Sequence, residues 1–598
     1  MDRNSTIGLT LIAVLLFVYF YFFSPAPVPV ENQTTAQKPA QSATSASPKD
    51  SARQTTLSSV DTTLIKSLGS LGSFMIGAEE FVSAENDVLK ITLTNNATVS
   101  EVNLKKFKTY HQKPLLLANG KNNHFSLMAT YEGKPIDLYQ LHYRIETTRQ
   151  GDSTQVIFSA RLSDNAFIKH IYSIPAKGYE IGYSIESQGL GLNEKEISFH
   201  WVDLIPLQEK DITDSRNRTT INYYTTQQSF KGLSESSSDV KTIGEPMKWV
   251  AIKQKFFVSA ILAKNNFSSG AFSIFLDAAD SSLLKKAEVS LTIPAASVTT
   301  GQAKFTYYFG PNDYDLLRKV TDGFSRNVYL GWPPVIWVNQ YLARPVFQFL
   351  QSFIGNYGLI IFLLVLFMKL LLTPLTYSSM LGQAKMRLLK PELDIIKAKN
   401  GDNMAQAQQD QMKLYQQAGV NPFSGCIPIL LQFPIILSMF YLFPNAIELR
   451  QQHFLWAEDL STYDSIIHLP FKIPFGFGDH VSLFLLLMTA SQLVFQWQNN
   501  QLSSVEGPMK MMGYFMPVIF MFVLNSFSAG LNFYYFVSNL ITFAQQAVIK
   551  RFVDEDKIMA IMNENRKKAA SGTAKKSKFM AKLEEAMKTS EAQRKAKK

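Results

Sequence analysis

A lysine inside a long apolar run is the residue of this chain best placed to do chemistry. Lys369 lies within residues 357–377, where most other side chains are Leu, Ile, Phe, Val or Met. The run is long enough for the ~30 Å hydrocarbon core of a bilayer at ~1.5 Å per residue. A charge at that depth is costly unless it faces protein or water, so Lys369 is a candidate site for binding an anionic group. The alternative is a helix that ends at Pro374, from which Lys369 extends to the headgroups.

Polar side chains recur in two further apolar runs. In residues 531–549 they stand at i, i+4, i+7 and i+11, which is one face of a helix; they are Tyr535, Asn539, Thr542 and Gln546. In residues 422–445, Gln432 is flanked by prolines that loosen the helix around it. Such residues commonly hydrogen-bond between packed helices. They can also line a wet cavity together with Lys369, and the residues alone leave both possibilities open.

The sequence lacks the usual signatures of covalent or metal chemistry. It contains no G-x-x-x-x-G-K-[ST], no G-x-S-x-G and no H-E-x-x-H pattern. Ser282 and Lys285 match a serine–lysine pattern, but so short a match is expected by chance in a chain of 598 residues. The single cysteine, Cys426, rules out an intramolecular disulfide and a cysteine zinc site. We therefore expect no enzyme activity, no cofactor and no metal.

The N-terminal segment reads as an anchor followed by a linker. Residues 1–23 contain the apolar run Ile7–Phe23, which ends in a cluster of aromatic residues typical of a membrane interface. A cleaved signal peptide is the alternative, but prolines follow where small cleavage-site residues belong. Residues 24–60 are mostly Pro, Ala, Ser, Thr and Gln, which predicts a flexible linker.

Residues 61–328 have the pattern of a β-rich domain. Runs of alternating, β-branched and aromatic residues recur, and Gly, Asn, Asp and Pro separate them. Strand and helix patterns do not alternate, so we predict a large antiparallel β-sandwich on the exported side. Its histidines are scattered without metal-ligand spacing, which favours binding or scaffolding over catalysis.

The remainder predicts a helical membrane domain. Residues 329–356 are amphipathic and aromatic-rich, as in a helix that lies on a membrane surface. Five more transmembrane helices are predicted at residues 357–377, 422–445, 481–498, 511–527 and 531–549. Residues 446–480 form an exported loop and residues 499–510 a cytosolic loop. Together with residues 1–23 this makes six spans with both chain ends in the cytosol.

Basic segments identify the cytosolic side. Residues 378–421 predict a helical hairpin whose cations include Lys385, Arg387 and Lys390. Its thin apolar seam suggests a mobile hairpin that docks partners, and a solvated loop is the alternative. From residue 550 to residue 598 there are 15 Lys and Arg against 7 Asp and Glu. This tail could contact anionic lipid or ribosomal RNA, or could serve only to fix the orientation of the chain.

Ordered segments over about 200 residues resemble the YidC family of membrane protein insertases of Gram-negative bacteria, in the Oxa/Alb superfamily. The similarity extends over essentially the whole architecture and is sharpest from Phe353 to Arg551. The segments that carry it are 352–358, 374–376, 385–387, 420–422, 425–428, 515–520, 534–535, 537–540 and 545–546.

The resemblance implies a non-enzymatic insertase and chaperone that inserts and folds proteins into the bacterial inner membrane. It implies a five-helix core around a hydrophilic groove, open to the cytosol and to lipid, with the β domain and residues 446–480 in the periplasm. The groove cation of most relatives is an arginine at the position of Lys369, while a groove glutamine and a sensitive tyrosine match Gln432 and Tyr535. A family threonine falls on Val365, so that polar contact is absent here.

The implied partners are nascent membrane proteins, membrane lipids and the Sec translocon, with no role for DNA. The cytosolic hairpin and the basic tail would contact the ribosome and the signal recognition pathway. Two other classes fit the residues alone: a transporter or channel that binds a small anion at Lys369, and a scaffold that tethers the β domain. Inverted repeats and intramembrane carboxylates are missing, which disfavours a transporter. A scaffold leaves the polar faces and the hairpin unexplained.

Overall fold

The computed structural model of the chain describes residues 65, 68–163, 165–190, 196–401, 403–421, 427–473, 477–502 and 508–571. The predicted anchor (residues 1–23), the linker (residues 24–60) and the end of the basic tail lie outside the described residues. So do Cys426 and the start of the helix predicted at residues 422–445. The chain divides after Val328 into two compact units.

The unit that ends at Val328 is rich in β-structure. Its strands are β1 (Phe81–Glu85), β2 (Leu89–Thr94), β3 (Val99–Lys108), β4 (Pro114–Asn119), β5 (Asn123–Tyr131), β6 (Lys134–Asp137), β7 (Arg144–Gln150), β8 (Ser153–Ser163), β9 (Ala166–Pro175), β10 (Glu180–Gln188), β11 (Glu196–Pro206), β12 (Thr220–Thr225), β13 (Phe230–Gly232), β14 (Asp239–Ile243), β15 (Met247–Lys253), β16 (Phe257–Phe267), β17 (Ser269–Phe275), β18 (Leu283–Pro294) and β19 (Ala303–Pro311). Three short helices are α1 (Ile212–Arg216), α2 (Ala295–Thr299) and α3 (Tyr314–Val320).

These strands form two large sheets and one small sheet. The nine-stranded sheet has the order β13-β12-β15-β16-β19-β10-β9-β8-β7, and the six-stranded sheet has the order β14-β17-β18-β11-β5-β6. Strands β1 to β4 pair in sequence as a four-stranded sheet. Neighbouring strands of the described chain run antiparallel, for example β10 beside β19 and β11 beside β18. The predicted antiparallel β architecture of residues 61–328 is therefore confirmed for the described part.

Aromatic side chains join the two large sheets. Trp201 on β11 meets Phe309 on β19 edge to face, at a ring-centroid distance of 6.5 Å. Tyr223 on β12 packs on Phe272 of β17, with the ring centroids 5.3 Å apart. In each pair the two residues come from different sheets, so the inner faces share one core, as in a sandwich. Inward and outward residues alternate along β11, which is the periodicity that predicted the strand.

The second unit is helical. Its helices are α4 (Val335–Val338), α5 (Arg344–Gln351), α6 (Tyr357–Leu388), α7 (Lys390–Asn400), α8 (Met404–Ala418), α9 (Ile427–Asn445), α10 (Leu483–Leu502), α11 (Pro508–Leu524), α12 (Ala529–Lys550) and α13 (Glu555–Ala570). A π-helical turn, Asn339–Ala343, joins α4 to α5, so the helix predicted within residues 329–356 is not a regular α-helix throughout. A two-stranded hairpin, β20 (Ile467–Ile473) and β21 (Gly478–Val481), lies in the loop predicted at residues 446–480.

The helix α6 extends beyond the predicted span. We expected a transmembrane helix at residues 357–377 and a separate hairpin from residue 378, but α6 passes through Pro374 and continues to Leu388. Among the described residues it is the one helix that is long and apolar enough to cross a membrane, by length and composition. Shorter apolar helices occur at Leu483–Gln498 and Met511–Leu524.

The helix α12 lies at the centre of the packed helices. It packs against α6, α9 and α10, while α11 packs on α10. Aromatic pairs mark two of these contacts: Phe443 of α9 with Tyr534, and Phe484 of α10 with Phe533. The first six residues of α12 are buried, although the sequence is that of a helix with a single polar face. Its surroundings are therefore protein on several sides.

The loop before α10 ties several helix ends together. Asp464 accepts hydrogen bonds from the N–H groups of Leu483 and Phe484, at 2.9 and 3.0 Å, which caps the start of α10. Asn525, just after α11, donates to the carbonyls of Phe477 and His480 at 2.7 and 2.6 Å. The N–H group of Ala529, the first residue of α12, donates to the carbonyl of Thr462 at 2.7 Å. The loop thus contacts the ends of α10, α11 and α12 at one end of the helical unit.

We predict that Asp203→Asn stabilises the β unit, and more so as the pH rises. Asp203 on β11 is buried, and within the described structure neither of its carboxylate oxygens accepts a hydrogen bond. Burial raises the pKa of Asp203 to about 8, and the nearby Asn123 amide opposes only part of this shift. The unfolded carboxyl ionises near its ordinary pKa of 3.8. Between these two pKa values the carboxyl ionises in the unfolded chain and stays protonated in the folded one. The free energy of unfolding therefore falls by about 1.4 kcal/mol for each unit that the pH rises.

The measurement is the midpoint of thermal unfolding of the β unit within the full chain, between pH 5 and pH 7. Unfolding is detected as the loss of resistance of the β unit to protease. The midpoint should fall with pH in the parent and fall less in Asp203→Asn. Asp322→Asn is the control, because the Asp322 side chain is 81% exposed. An equal pH dependence in Asp203→Asn and the parent would contradict the prediction.

Candidate functional site

Lys369 lies deep within α6 and is covered by protein. It stands twelve residues after the start of the helix at Tyr357, or about 18 Å along the axis. The side chain is 7% exposed, and its neighbours Val365 and Met368 are buried as well. Within the described structure its ammonium group forms no hydrogen bond or salt bridge. Because α6 does not end at Pro374, this placement favours an interior site over a lysine that reaches out from a helix end.

A glutamine outside the predicted site residues hydrogen-bonds the main chain of Lys369. Gln545 of α12 donates from Nε2 to the main-chain carbonyl of Lys369, at 2.9 Å. The same nitrogen donates to Thr373 Oγ1, also at 2.9 Å, and Thr373 Oγ1 donates to the Lys369 carbonyl at 2.9 Å. The predicted polar face does not include Gln545, since it lies about 90° round the helix from the middle of that face. An amide in an apolar helix was nevertheless a signal that could have found it.

The predicted polar face of α12 contacts two other helices, α9 and α10. Tyr535 donates to the carbonyl of Ile436 on α9 at 3.4 Å, which is a long hydrogen bond, and Asn539 donates to Ser491 Oγ on α10 at 2.8 Å. Thr542 donates to the carbonyl of Ser538 in its own helix at 2.7 Å. For Asn539 in particular, hydrogen bonding between packed helices accounts for the polar residue.

The remaining two predicted residues lie apart from these contacts. The side-chain oxygen of Gln546 is buried and has no hydrogen-bond partner among the described residues. Gln432 lies on α9 and is partly exposed. No hydrogen bond in the described part of the chain joins Lys369 to any predicted groove residue. The structure thus places all of them on α6, α9 and α12, which pack together, without a single hydrogen-bonded cluster.

The serine–lysine pattern of the β unit does not form a catalytic pair. The Lys285 ammonium donates to the carbonyls of Thr219 and Glu235, each at 2.8 Å, and burial lowers its pKa to about 8. Ser282 instead donates to Asp280 at 2.6 Å. Among the described residues no group of His, Cys, Asp and Glu could hold a metal ion. The buried His170 bonds two tyrosine hydroxyls, and burial lowers its pKa to about 3, as expected for a neutral core histidine.

The predicted docking surface is partly occupied by the chain itself. The helix α13, which belongs to the predicted basic tail of residues 550–598, packs against the hairpin formed by α7 and α8. Arg387 pairs with Glu555, and Arg566 pairs with Glu392 at 2.6 Å. Lys385 is half-buried, while Lys390 is exposed. The buried apolar residues shared by these helices are Ala384, Leu389, Leu393, Leu414, Tyr415, Ala418, Val420, Ile558 and Met562.

This third helix explains how a hairpin with a thin apolar seam holds together. The sequence suggested a mobile hairpin because the apolar residues of α7 and α8 alone are few. Ile558 and Met562 of α13 add to them, and Asn565 donates to the carbonyl of Ala418 at 3.3 Å. Of the predicted docking cations, Lys390 is therefore the one that the described structure leaves exposed.

Comparison with known proteins first gives the class of protein. The family model described as 60Kd inner membrane protein matches residues 349–556. The model described as YidC periplasmic domain matches residues 82–349. The helical unit and most of the β unit are therefore those of an inner membrane protein with a periplasmic domain.

Relatives over the full length then identify the family. A protein of Amoebophilus asiaticus named membrane protein insertase YidC is 42% identical over 601 residues, covering 99% of both chains. One of the same name from Cytophaga hutchinsonii is 41% identical over 620 residues, covering 100% of this chain and 99% of that one. A crystal structure of an active YidC insertase is also similar, with a TM-score of 0.32, 18% identity and coverage of 78% of this chain and 92% of that chain. The chain belongs to the YidC family, as the sequence segments predicted.

We predict that Met562→Ala loosens the hairpin, since Met562 is fully buried where α13 meets α7 and α8. Truncation of a buried methionine costs about 2–5 kcal/mol, which is large for a small three-helix cluster. Limited proteolysis of the full chain should then cleave faster at Lys397 and Lys399, near the hairpin turn. Ile561→Ala is the matched control, because Ile561 is the preceding residue and is 42% exposed. Equal cleavage rates in the two variants would show that α13 does not hold the hairpin.

Proposed function

We propose that this chain is a membrane protein insertase and chaperone of the bacterial inner membrane, which inserts and folds integral membrane proteins without covalent chemistry. Two relatives that match it from end to end carry the name membrane protein insertase. The observation that carries the proposal is Lys369, a cation covered by protein and without a charged partner in the described structure. A cation in that setting suits a transient anionic ligand better than a permanent structural pair.

The proposed architecture has six spans, of which α6, α9, α10, α11 and α12 form the core. These five helices surround a hydrophilic groove that is open to the cytosol and to lipid. The loop that contains Asp464 closes the opposite end, where it caps α10 and contacts the ends of α11 and α12. The large β unit lies in the periplasm and both chain ends lie in the cytosol. The basic residues of the hairpin and the tail support this orientation.

In this mechanism the groove shortens the path of a polar segment across the membrane. Each unsatisfied backbone group costs several kcal/mol in hydrocarbon, so a polar tail cannot simply enter the bilayer. Lys369 attracts an acidic tail part-way across, and Gln432, Tyr535, Asn539, Thr542 and Gln546 provide polar surface beside it. The membrane potential, positive outside, assists acidic residues outward.

The apolar helix of the substrate then passes into lipid along α9 and α11. Both helices carry exposed aromatic side chains, among them Phe433 on α9 and Phe515 and Phe520 on α11. Burial of the substrate's apolar surface in lipid supplies the free energy, so the mechanism needs no nucleotide and no cofactor. The substrates are nascent membrane proteins.

Partners beyond the substrate act from the cytosol and within the membrane. We propose that the chain works alone or beside a Sec translocon, and that its hairpin and tail contact the ribosome and the signal recognition pathway. Lys390 is the strongest docking candidate, since it is exposed while Arg387 is paired with Glu555. The basic tail would also contact anionic lipids.

The test is insertion by the purified protein in liposomes that contain no other protein. The substrate is a small single-span protein with a short acidic tail, and the readout is protection of that tail from protease. Protection above that of empty liposomes supports autonomous insertion. No protection by folded, correctly oriented protein would overturn autonomous insertion.

We predict that Lys369→Ala lowers protection of the acidic tail about tenfold, the factor that corresponds to about 1.4 kcal/mol of lost attraction. Lys369→Arg should retain most of the activity because it keeps the charge. Lys472→Ala is the charge control, since Lys472 is an exposed lysine of the loop that contains β20. Undiminished insertion by the double variant Lys369→Ala, Tyr535→Ala would rule out the groove mechanism.

A further inference from the structure

We propose that Gln545 is a positioning residue for Lys369: its hydrogen bonds to the Lys369 carbonyl and to Thr373 hold the cation-bearing turn of α6 in place against α12. This inference rests on the proposed function, because it assumes that the Lys369 charge acts on the substrate. It concerns a residue outside the predicted groove face, and a contact to the main chain of Lys369 itself.

The three groups form a closed ring of hydrogen bonds. Gln545 Nε2 uses its two hydrogens on the Lys369 carbonyl and on Thr373 Oγ1, each at 2.9 Å. Thr373 Oγ1 accepts from Gln545 and donates its own hydrogen to the Lys369 carbonyl, at 2.9 Å. Each of these donors has an acceptor, and the ring joins α12 to α6 at the level of the cation. Such a complete polar network fixes one arrangement of the two helices better than apolar contacts alone.

The ring lies next to the point in α6 where one helical hydrogen bond is missing. Pro374 has no N–H group, so the carbonyl of Leu370 loses its helical hydrogen bond, and the proline ring presses on that carbonyl. Leu370 directly follows Lys369. A proline at this point permits a bend in the turn that carries the cation, and an outside restraint on the adjacent carbonyl opposes the bend. Gln545 supplies this restraint from α12.

A second threonine of α6 shows what is particular about Thr373. Thr376 Oγ1 also donates to the carbonyl four residues before it, that of Leu372, at 3.1 Å. No residue of α12 bonds Thr376 in the described structure. The two threonines therefore have the same bond within the helix, and they differ in the link to Gln545. This difference makes Thr376→Val a matched control for Thr373→Val.

If Gln545 positions Lys369, removing the Gln545 side chain should reduce the preference for acidic tails rather than insertion in general. The side chain of Lys369 is enclosed by protein, so a shift of its main chain moves the ammonium group with it. If the turn moves, attraction of an acidic tail weakens, while insertion of a neutral tail, which does not use the charge, is little changed. A residue that merely stabilises the fold would lower insertion of both tails in the same proportion.

The experiment compares two substrates that differ only in the charge of the exported tail, acidic or neutral, in the liposome assay with the full chain. Gln545→Met keeps the length of the side chain and removes both donors. In this variant the ratio of acidic-tail to neutral-tail insertion should fall about fivefold, the effect of losing one or two hydrogen bonds. Thr373→Val should lower the ratio less, because Gln545 keeps its bond to Lys369. Thr376→Val should leave the ratio unchanged.

A second readout does not depend on insertion. In a Cys426→Ser, Lys369→Cys background, the rate of labelling by a charged thiol reagent reports how accessible the side chain at position 369 is to that reagent. Adding Gln545→Met should change this rate at least twofold, and adding Thr376→Val should not.

The outcomes separate the two proposals. Unchanged selectivity and unchanged labelling in Gln545→Met would overturn the positioning role, and so would an equal fall for both tails at an unchanged labelling rate. If Lys369→Ala itself leaves the ratio unchanged, the proposed groove mechanism fails. The labelling rate alone then decides the role of Gln545: a changed rate supports positioning of residue 369, and an unchanged rate overturns it.

Discussion

The cost of removing a charge from water is the constraint on which the helical unit depends. Lys369 is covered by protein, and within the described structure its ammonium has no anionic partner. An arrangement of this kind persists only if the surrounding packing holds the lysine there, because solvation alone would draw it outward. The surrounding helices provide that packing. Val365 and Met368 of the same helix are buried as well, and α12 packs against α6, α9 and α10. In the mechanism proposed above, an anionic substrate segment beside Lys369 would offset part of this desolvation cost.

Polar contacts at both ends of the helical unit support this packing. On one side, Asp464 caps the start of α10, and Asn525, just after α11, donates to the main chain of the same loop. The N–H group of Ala529, at the start of α12, donates to the carbonyl of Thr462 in that loop. On the other side, α13 continues the chain only four residues after α12 ends and packs on the hairpin that follows α6. The two helices that meet at Lys369, α6 and α12, are thus joined a second time through the hairpin and α13. A movement of the hairpin relative to α13 would therefore act on the ends of the same two helices.

Much of the fold and part of the candidate site could be predicted from the sequence, and the wrong or missing predictions have physical causes. Period-2 patterns identified the antiparallel strands because each strand of a sandwich has one buried face, as the alternation along β11 shows. The order of sheet strands could not be predicted, since β10 lies beside β19 through contacts that are distant in sequence. The predicted end of α6 near Tyr377 is too early, because the apolar run stops there while the helix continues through polar and basic residues to Leu388. Gln545 was missed because helical periodicity identifies a face, while its bonds depend on the position of a second helix.

The presence of lysine rather than arginine at position 369 makes the position of the main chain more important. A guanidinium binds a carboxylate through two parallel hydrogen bonds, so the geometry of the group itself selects and orients the ligand. An ammonium is a compact charge on a flexible stem and brings no fixed geometry of its own, so its placement depends on the packing of the turn that carries it. In α6 that turn lies five residues before Pro374, which removes one helical hydrogen bond, and the ring of Gln545 and Thr373 acts on the Lys369 carbonyl. The contact between helices thus provides the orientation that a guanidinium would bring with it.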